Sequence, residues 1–291
     1  MLTKTHLPCV VCGGITNHQK YPDQLGDESP EMGYDFSPRT SKSYRIVECD
    51  ECSHVFADPM PHIQAAYRFS PSDSYVDHNI CRAKTANECL KILASLGVTT
   101  GKLLDIGCNA GVFLDVASVS FLAEGIELSS ESSAIASRRH VVYTDDFLEI
   151  KLETCYDVIT AFAVLEHLEN PRLAIAKARS SLREGGLFMV YVPDIRSLPA
   201  SILRQKWWQF MGMHLHYFSK STMTSLLVSE GFTVEFLGRY PQFFTVRSIG
   251  NSLYRYRRLK WIAVLLNRKF FDRIILKISL PGELLIVGRA R

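Results

Sequence analysis

No apolar run in this 291-residue chain reaches the roughly 18–20 residues needed to span a bilayer. The opening stretch, Met-Leu-Thr-Lys-Thr-His-Leu-Pro-Cys, lacks the apolar core of a secretory signal. Both absences argue against a membrane-spanning or exported chain and lead us to expect the cytoplasm. Internal repeats are missing too, which excludes solenoid and propeller arrays. Acids are scarce between Arg239 and Lys277, where ten cations face Asp272 alone. That segment carries +9 in a chain of net charge +3, leaving −6 for the remainder. The asymmetry suggests an anionic partner.

What is present suits one large domain and a small one. Hydrophobic residues make up 47% of the chain, enough for a sizeable core. Four of the eight cysteines form two pairs, Cys9-Val-Val-Cys12 and Cys49-Asp-Glu-Cys52. A two-residue spacing lets two thiolates bind one tetrahedral ion, and a second such turn completes the site. We expect a structural Zn2+ in a module over residues 1–60. Four thiolates leave no open position for catalysis, and disulfides fit poorly with a reducing compartment. The 36 residues between the pairs are rich in Pro, Gly, Ser and Asp and read as a long loop. Cys81, Cys89, Cys108 and Cys155 stand in apolar surroundings, as reduced packing residues do.

The most informative stretch is Leu103-Leu-Asp-Ile-Gly-Cys-Asn-Ala-Gly111. Apolar residues around Asp105 read as the end of a buried strand. Gly107, Asn109 and Gly111 then make a tight turn into the helical run from Val112. Such a turn leaves backbone N–H groups free at the helix start and lets a ligand approach closely. Glu127 follows twenty residues after Gly107, where a carboxylate can accept hydrogen bonds from ribose hydroxyls. The dinucleotide pattern Gly-x-Gly-x-x-Gly is absent, and the spacing is Gly-x-Asn-x-Gly. Asn is one of the few residues besides Gly that tolerates a left-handed backbone.

Residues 61–100 read as a linker and helical lid, most regular from Ala83 to Leu93. From 101 onward strands and helices alternate, which predicts a parallel α/β sheet with covering helices. Strands are expected at Lys102–Ile106, Leu122–Ile126, Val141–Tyr143, Asp157–Phe162, Leu187–Val192, Phe232–Gly238 and Leu284–Arg289. Helices are expected near 111–119, 130–139, 171–183 and 219–229. The last two strands enclose a basic insertion at 240–281.

The glycine loop resembles the Asp-x-Gly-x-Gly-x-Gly loop of class I S-adenosylmethionine-dependent methyltransferases, with Asn109 at the middle glycine. The resemblance extends to Asp146-Phe147, to Tyr156–Ile159 followed by Ala163-Val-Leu-Glu-His167, and to Leu182-Arg-Glu-Gly-Gly186. It implies a Rossmann-like seven-stranded sheet whose last strand runs antiparallel. It also implies S-adenosylmethionine as cofactor, held by Asp105, Gly107, Cys108, Asn109, Ala110, Gly111, Glu127, Leu128, Asp146, Phe147 and Ala163. The cofactor carries no phosphate, and a carboxylate near the turn suits its ammonium end. The cysteine pattern resembles a zinc-ribbon subgroup similar to sugar C-methyltransferases. That implies a small-molecule acceptor, a nucleotide- or lipid-linked sugar or glycan precursor.

Methyl transfer is an in-line displacement that asks for positioning and, for a hydroxyl or carbon acid, a base. Candidate bases are His214 and His216, in Met211-Gly-Met-His-Leu-His-Tyr-Phe218, and His167. The subgroup has Glu-His-Leu where this chain has Met213-His214-Leu215, a departure that touches C-methylation. Tyr75 resembles the subgroup's lid tyrosine. Trp207 and Trp208 either stack on a substrate ring or pack. The basic insertion, with apolar residues and cations interspersed over 260–277, either contacts an anionic membrane surface or packs as a solvated amphipathic helix. An RNA base methyltransferase is the competing enzyme reading, disfavoured because residues 1–60 are not basic and lack base-stacking aromatics interleaved with cations. A non-catalytic cofactor-binding scaffold is the third.

Overall fold

The structure is a computed structural model that describes residues 8–26, 28, 30, 42–69, 79–152, 155–253 and 260–291. It opens with three short strands, β1 (Asn17–Tyr21), β2 (Ile46–Cys49) and β3 (Val55–Ala57), and a helix, α1 (Asn79–Ser95). Alternation then sets in with β4 (Gly101–Ile106), α2 (Val112–Ala117), β5 (Phe121–Ile126), α3 (Ser130–Ala136) and β6 (Val141–Tyr143). Next come β7 (Tyr156–Phe162), α4 (Pro171–Ser181), β8 (Leu182–Pro193), α5 (Leu198–Leu203), β9 (His216–Tyr217) and α6 (Lys220–Ser229). The chain closes with β10 (Phe232–Arg239), β11 (Gln242–Thr245), α7 (Val246–Leu253), α8 (Lys260–Leu266), β12 (Ile275–Ile278) and β13 (Glu283–Ala290).

The helices start where side chains satisfy their free N–H groups. Ser129 accepts from the Ser132 N–H before α3, and Asn170 accepts from Leu173 before α4, with Pro171 in the first turn. Ser219 and Thr222 form a reciprocal capping box at α6, and Gly231, at φ +86°, ends that helix.

Seven strands make the central sheet in the order β10-β13-β8-β7-β4-β5-β6. The order reverses beside β4, where the chain runs outward through β5 and β6 and then returns to β7. β13 runs antiparallel between β10 and β8, while β4 is parallel to both β5 and β7. All seven expected strands are present. Alternate residues serve opposite faces, as a pleated strand requires. Leu103, Val158, Leu187, Met189, Leu285 and Val287 pack on one side. Leu104, Ile159, Phe188, Val190 and Ile286 pack on the other. Burial on both sides explains why these strands read as nearly unbroken apolar runs.

A second sheet joins the N-terminal strands to the main domain in the order β1-β2-β3-β9. The segment between the cysteine pairs, expected as a loop, carries β1 and most of β2, paired antiparallel from Asn17↔Cys49 to Tyr21↔Ile46. Short strands with polar outer residues carry little periodic signal; their hydrogen bonds come from the partner strand. Arg172 on α4 donates to the carbonyls of Val10 and Val11, at 2.7 and 2.8 Å, and anchors the first cysteine turn to the domain.

The basic insertion is not one helix. β11 pairs with β12 as a two-stranded ribbon, and α7 and α8 pack together beyond it. β11 also lies against α1. The unit caps the carboxyl ends of the sheet strands. No helix among the described residues is long and apolar enough to cross a membrane.

Candidate active site

The carboxyl ends of β4, β5, β7 and β8 open into one cavity of about 780 Å³. This is the crevice where strand order reverses, the usual ligand position in open α/β sheets. One half is built by the glycine loop. Gly107 and Asn109 adopt positive φ of 73° and 50°, and Gly111 caps α2 at φ 83°. A Cβ on Gly107 would stand 2.7 Å from Val164 Cγ2, so the loop hugs the turn after β7. Glu127, at the end of β5, accepts from the N–H groups of Asn109 at 2.9 Å and Ser129 at 2.7 Å. Two hydrogen bonds use only part of a carboxylate's capacity, which leaves room for ligand hydroxyls.

Asp105 lies buried at the end of β4 and also lines the cavity. Its Oδ1 accepts from the Thr160 hydroxyl at 2.7 Å. Burial pushes its carboxyl up to about 7, against the Thr160 hydrogen bond and with help from the Glu127 charge. A cation entering the cavity would favour the ionised form. Asp146 and Phe147 close the far end of this half, with the Lys177 ammonium 5.4 Å from the Phe147 ring centre. Of the eleven residues expected at the cofactor, all but Gly111 line the cavity; Gly111 sets the helix start behind it. The residues fit S-adenosylmethionine: a glycine cradle, two carboxylates and, among the described residues, no cation cluster for a pyrophosphate.

The other half is aromatic. Tyr191, at the end of β8, stacks on Tyr240 at 4.1 Å and 13°, and Phe162 contacts both Tyr240 and Phe113. Phe243 and Phe244 of β11 roof it, and Arg82 of α1, Gln242 and Asn251 add polar groups. The Tyr191 hydroxyl donates to Glu283, whose carboxyl burial pushes up to about 7. These wall residues were not identified from the sequence. Phe162 and Tyr191 alone carried a signal, since each sits at or near the carboxyl end of an expected strand.

His167 is the one candidate histidine in the wall. Its Nδ1 lies 2.8 Å from both the Met213 carbonyl and the Tyr67 hydroxyl; the carbonyl can only accept, which favours the proton on Nδ1 and the lone pair on Nε2. The Tyr67 hydroxyl also donates to Met213 O, at 3.1 Å. Burial lowers the His167 pKa to about 4, so the ring is neutral near pH 7. His214 stands behind it, ring centres 4.7 Å apart, and does not line the cavity. His216 is also outside the wall and pairs with His54 at 3.1 Å. Met213, where the subgroup has Glu, is buried beside Ile63, Met211 and Leu215, and contributes its carbonyl instead. Trp207 packs in the core with Ile46, Val55 and Phe210. Tyr75 lies outside the described residues.

Outside the cavity lining the four paired cysteines converge. Their Sγ atoms all lie within 4.8 Å of one another, with Cys9···Cys52 at 3.5 Å and Cys12···Cys49 at 3.6 Å. Sulfurs about 2.3 Å from one tetrahedral ion stand about 3.8 Å apart. Both turns have the tight form this needs: Gly13 donates to Cys9 O at φ +79°, and Ser53 donates to Cys49 O at φ +60°. The Gly14 N–H points at Cys12 Sγ, 3.4 Å away, as expected beside a thiolate ligand.

A glycine turn after the first parallel strand, an acid ending the second and an antiparallel last strand together define a class I S-adenosylmethionine-dependent methyltransferase. A methyltransferase-domain family model matches residues 77–236, and the chain belongs to that family. It is 29% identical over 109 residues to a ubiquinone biosynthesis O-methyltransferase of Glaesserella parasuis, covering 32% of this chain and 46% of that protein. It is 33% identical over 98 residues to the protein of the same name in Paraburkholderia xenovorans, covering 30% and 42%. The chain thus spans about half the length, or less, of these curated relatives. Among solved structures, a methyltransferase of Clostridium acetobutylicum superposes with a TM-score of 0.51 at 9% identity, over 75% of this chain and 97% of that one. A magnesium protoporphyrin IX methyltransferase of Synechocystis with bound S-adenosylhomocysteine gives 0.50 at 14%, over 74% and 86%. At these identities the two structures show the shared fold alone.

Proposed function

We propose that this chain transfers a methyl group from S-adenosylmethionine to a small, ring-bearing acceptor held against Tyr191, Tyr240 and Phe162. The observation that carries the reading is the continuity of the cavity. The glycine cradle and the aromatic chamber are two halves of one space, and His167 lies in its wall. The cofactor supplies an electrophilic methyl on a good leaving group. The protein's share is positioning, exclusion of water by the β11 roof, and a neutral imidazole whose Nε2 can take or share the acceptor's proton. The relatives' name supports an oxygen acceptor. A nucleotide- or lipid-linked sugar, the acceptor expected from the sequence, is the second reading; Arg82 in the wall and the basic cap favour it. His167→Ala should lower kcat by about 100-fold with the cofactor Kd nearly unchanged. Tyr191→Ala should raise the acceptor KM instead. Steady-state kinetics beside calorimetry with S-adenosylmethionine separate the two effects, and a fall in cofactor affinity in either variant would count against the assignment.

We further infer that the four cysteines hold one structural zinc, on the Sγ geometry above. The cap also supports peripheral contact with an anionic membrane surface. On α8, Ala263 is buried while Trp261 and Val264, three apart on one face, are 65% and 62% exposed; Phe270 follows at 65%. Lys260, Arg268 and Lys269 flank them. Apolar residues facing out among cations match an interfacial helix. Vesicles containing phosphatidylglycerol should co-sediment the protein, neutral vesicles should not, and Trp261→Glu should abolish the difference. Equal sedimentation with both lipids would remove the membrane from the account.

A further inference from the structure

Behind the cavity wall is a second cluster of ligating groups that the methyl-transfer reading leaves unused. Glu166 and His167 occupy the single turn Leu165–His167 that follows β7, and His214 lies on the segment just before β9. The Leu215 N–H donates to Glu166 O at 2.8 Å and staples the two segments together. One ligand atom from each of the three side chains lies within 4.8 Å of the other two. All three residues are buried, at 1%, 9% and 6% exposure for Glu166, His167 and His214.

Two of these side chains have atoms with nothing to bond. Glu166 Oε2 and His214 Nδ1 are both fully buried and without a hydrogen-bond partner. Leaving one such group unpaired costs about 1–3 kcal/mol, so two side by side call for an explanation. They are not hydrogen-bonded to each other, although one ligand atom of each residue lies within 4.8 Å of the others. Oxygen and nitrogen ligands about 2.0–2.2 Å from one ion stand about 3–4 Å apart, inside the 4.8 Å within which these ligand atoms gather. The orientation of His167 agrees. Its Nδ1–H is committed to a backbone carbonyl, leaving Nε2 as the free lone pair. A ligating imidazole almost always secures its other nitrogen in this way.

We propose that Glu166, His167 and His214 form a binding site for one divalent transition-metal ion just behind the cavity wall, reached from the cavity past His167. Two imidazoles and one carboxylate suit Mn2+, Fe2+, Co2+ or Zn2+ better than Mg2+ or Ca2+, which prefer all-oxygen shells. Three protein ligands leave coordination positions open, and an acceptor oxygen entering beside His167 can fill one. Its hydroxyl proton would then be more acidic. In that state His167 Nε2 serves the ion rather than the proton. Only this role rests on the methyl-transfer reading; occupancy of the site does not.

The probe is Mn2+, a hard ion that four thiolates bind poorly. The zinc-loaded full-length chain is titrated with Mn2+ while the six-line spectrum of free Mn2+ is followed by electron paramagnetic resonance. We expect the free signal to be suppressed until one ion per chain has bound. Glu166→Gln, which keeps size and shape, and His214→Ala should each weaken binding by at least roughly tenfold. Bound zinc, measured in the same titration, should stay constant, so the Mn2+ taken up has not displaced it from the cysteines. Calorimetry with S-adenosylmethionine on the same variants reports folding and tests the cofactor site separately. A free Mn2+ signal that rises linearly from the first addition would overturn the site, even with the cofactor bound normally. So would equal binding by wild type and Glu166→Gln, which would place the ion elsewhere. Mn2+ binding without cofactor binding would leave the metal site standing and remove the methyl-transfer reading.

Discussion

Replacing Asp105 by Asn should weaken S-adenosylmethionine binding by at least about 30-fold, with little change in the fold. The carboxylate is buried at the end of β4, beside the glycine loop, and reaches the cavity. Removing one partner of a buried charge pair costs about 2–5 kcal/mol, and about 1.4 kcal/mol is a factor of ten. Asn keeps the size and can still accept from Thr160, so the loss reports the charge. The wild type should show the same interaction through pH. Without ligand, burial holds the Asp105 carboxyl near 7. The cationic end of the cofactor binds the ionised form and lowers that pKa. Affinity should therefore be full above pH 7 and fall about tenfold per unit as pH drops below it. Asp105→Asn should flatten the profile. Calorimetry at pH 6, 7 and 8 measures both effects, and a parallel slope in the variant would assign the titration to another group.

The second large effect is expected at the cysteine cluster. Cys49 ends β2 and stands 3.6 Å from Cys12. Cys49→Ser removes a thiolate, and three remaining ligands should not retain the ion against dialysis. Bound zinc should fall from about one per chain to near zero. The damage should spread beyond the module, because β3 pairs with β9 through Val55↔Tyr217 and Phe56↔His216. β9 follows the Met213–Leu215 segment whose carbonyl orients His167. Turnover should drop while cofactor affinity holds, since the glycine loop lies on other strands. Metal analysis, proteolysis near Arg45 and kinetics check this together. Full zinc retention in the serine variant would refute the four-thiolate site.

These two sites were legible in the sequence for the same reason. Each is a local motif whose spacing encodes its geometry: Gly-x-Asn-x-Gly demands a left-handed turn, and two residues between cysteines fit one ion. The central sheet was legible because burial on both faces writes itself as continuous apolar strands. The aromatic half of the cavity was not, because distant segments assemble it. Tyr191 and Tyr240 stack across 49 positions of sequence, and Phe243 arrives on a ribbon that reads as part of a basic insertion. The histidines show the same limit. His214 and His216 were the leading candidates in the sequence and His167 the lesser one, yet the pairing of β3 with β9 and the turn after β7 put His167 in the cavity wall. Glu166 carried no signal of its own, since an acid after an apolar run more often marks solvent than a buried orphan.

The most direct test is transfer of a labelled methyl group. The zinc-loaded protein is incubated at pH 8 with S-adenosylmethionine labelled in its methyl group and, separately, a hydroxylated aromatic ring, a nucleotide-linked sugar and RNA. The account predicts label in a small ring-bearing acceptor, formation of S-adenosylhomocysteine in equal amount, and loss of both in Asp105→Asn and His167→Ala. Label transferred to RNA alone, or undiminished transfer in both variants, would contradict it.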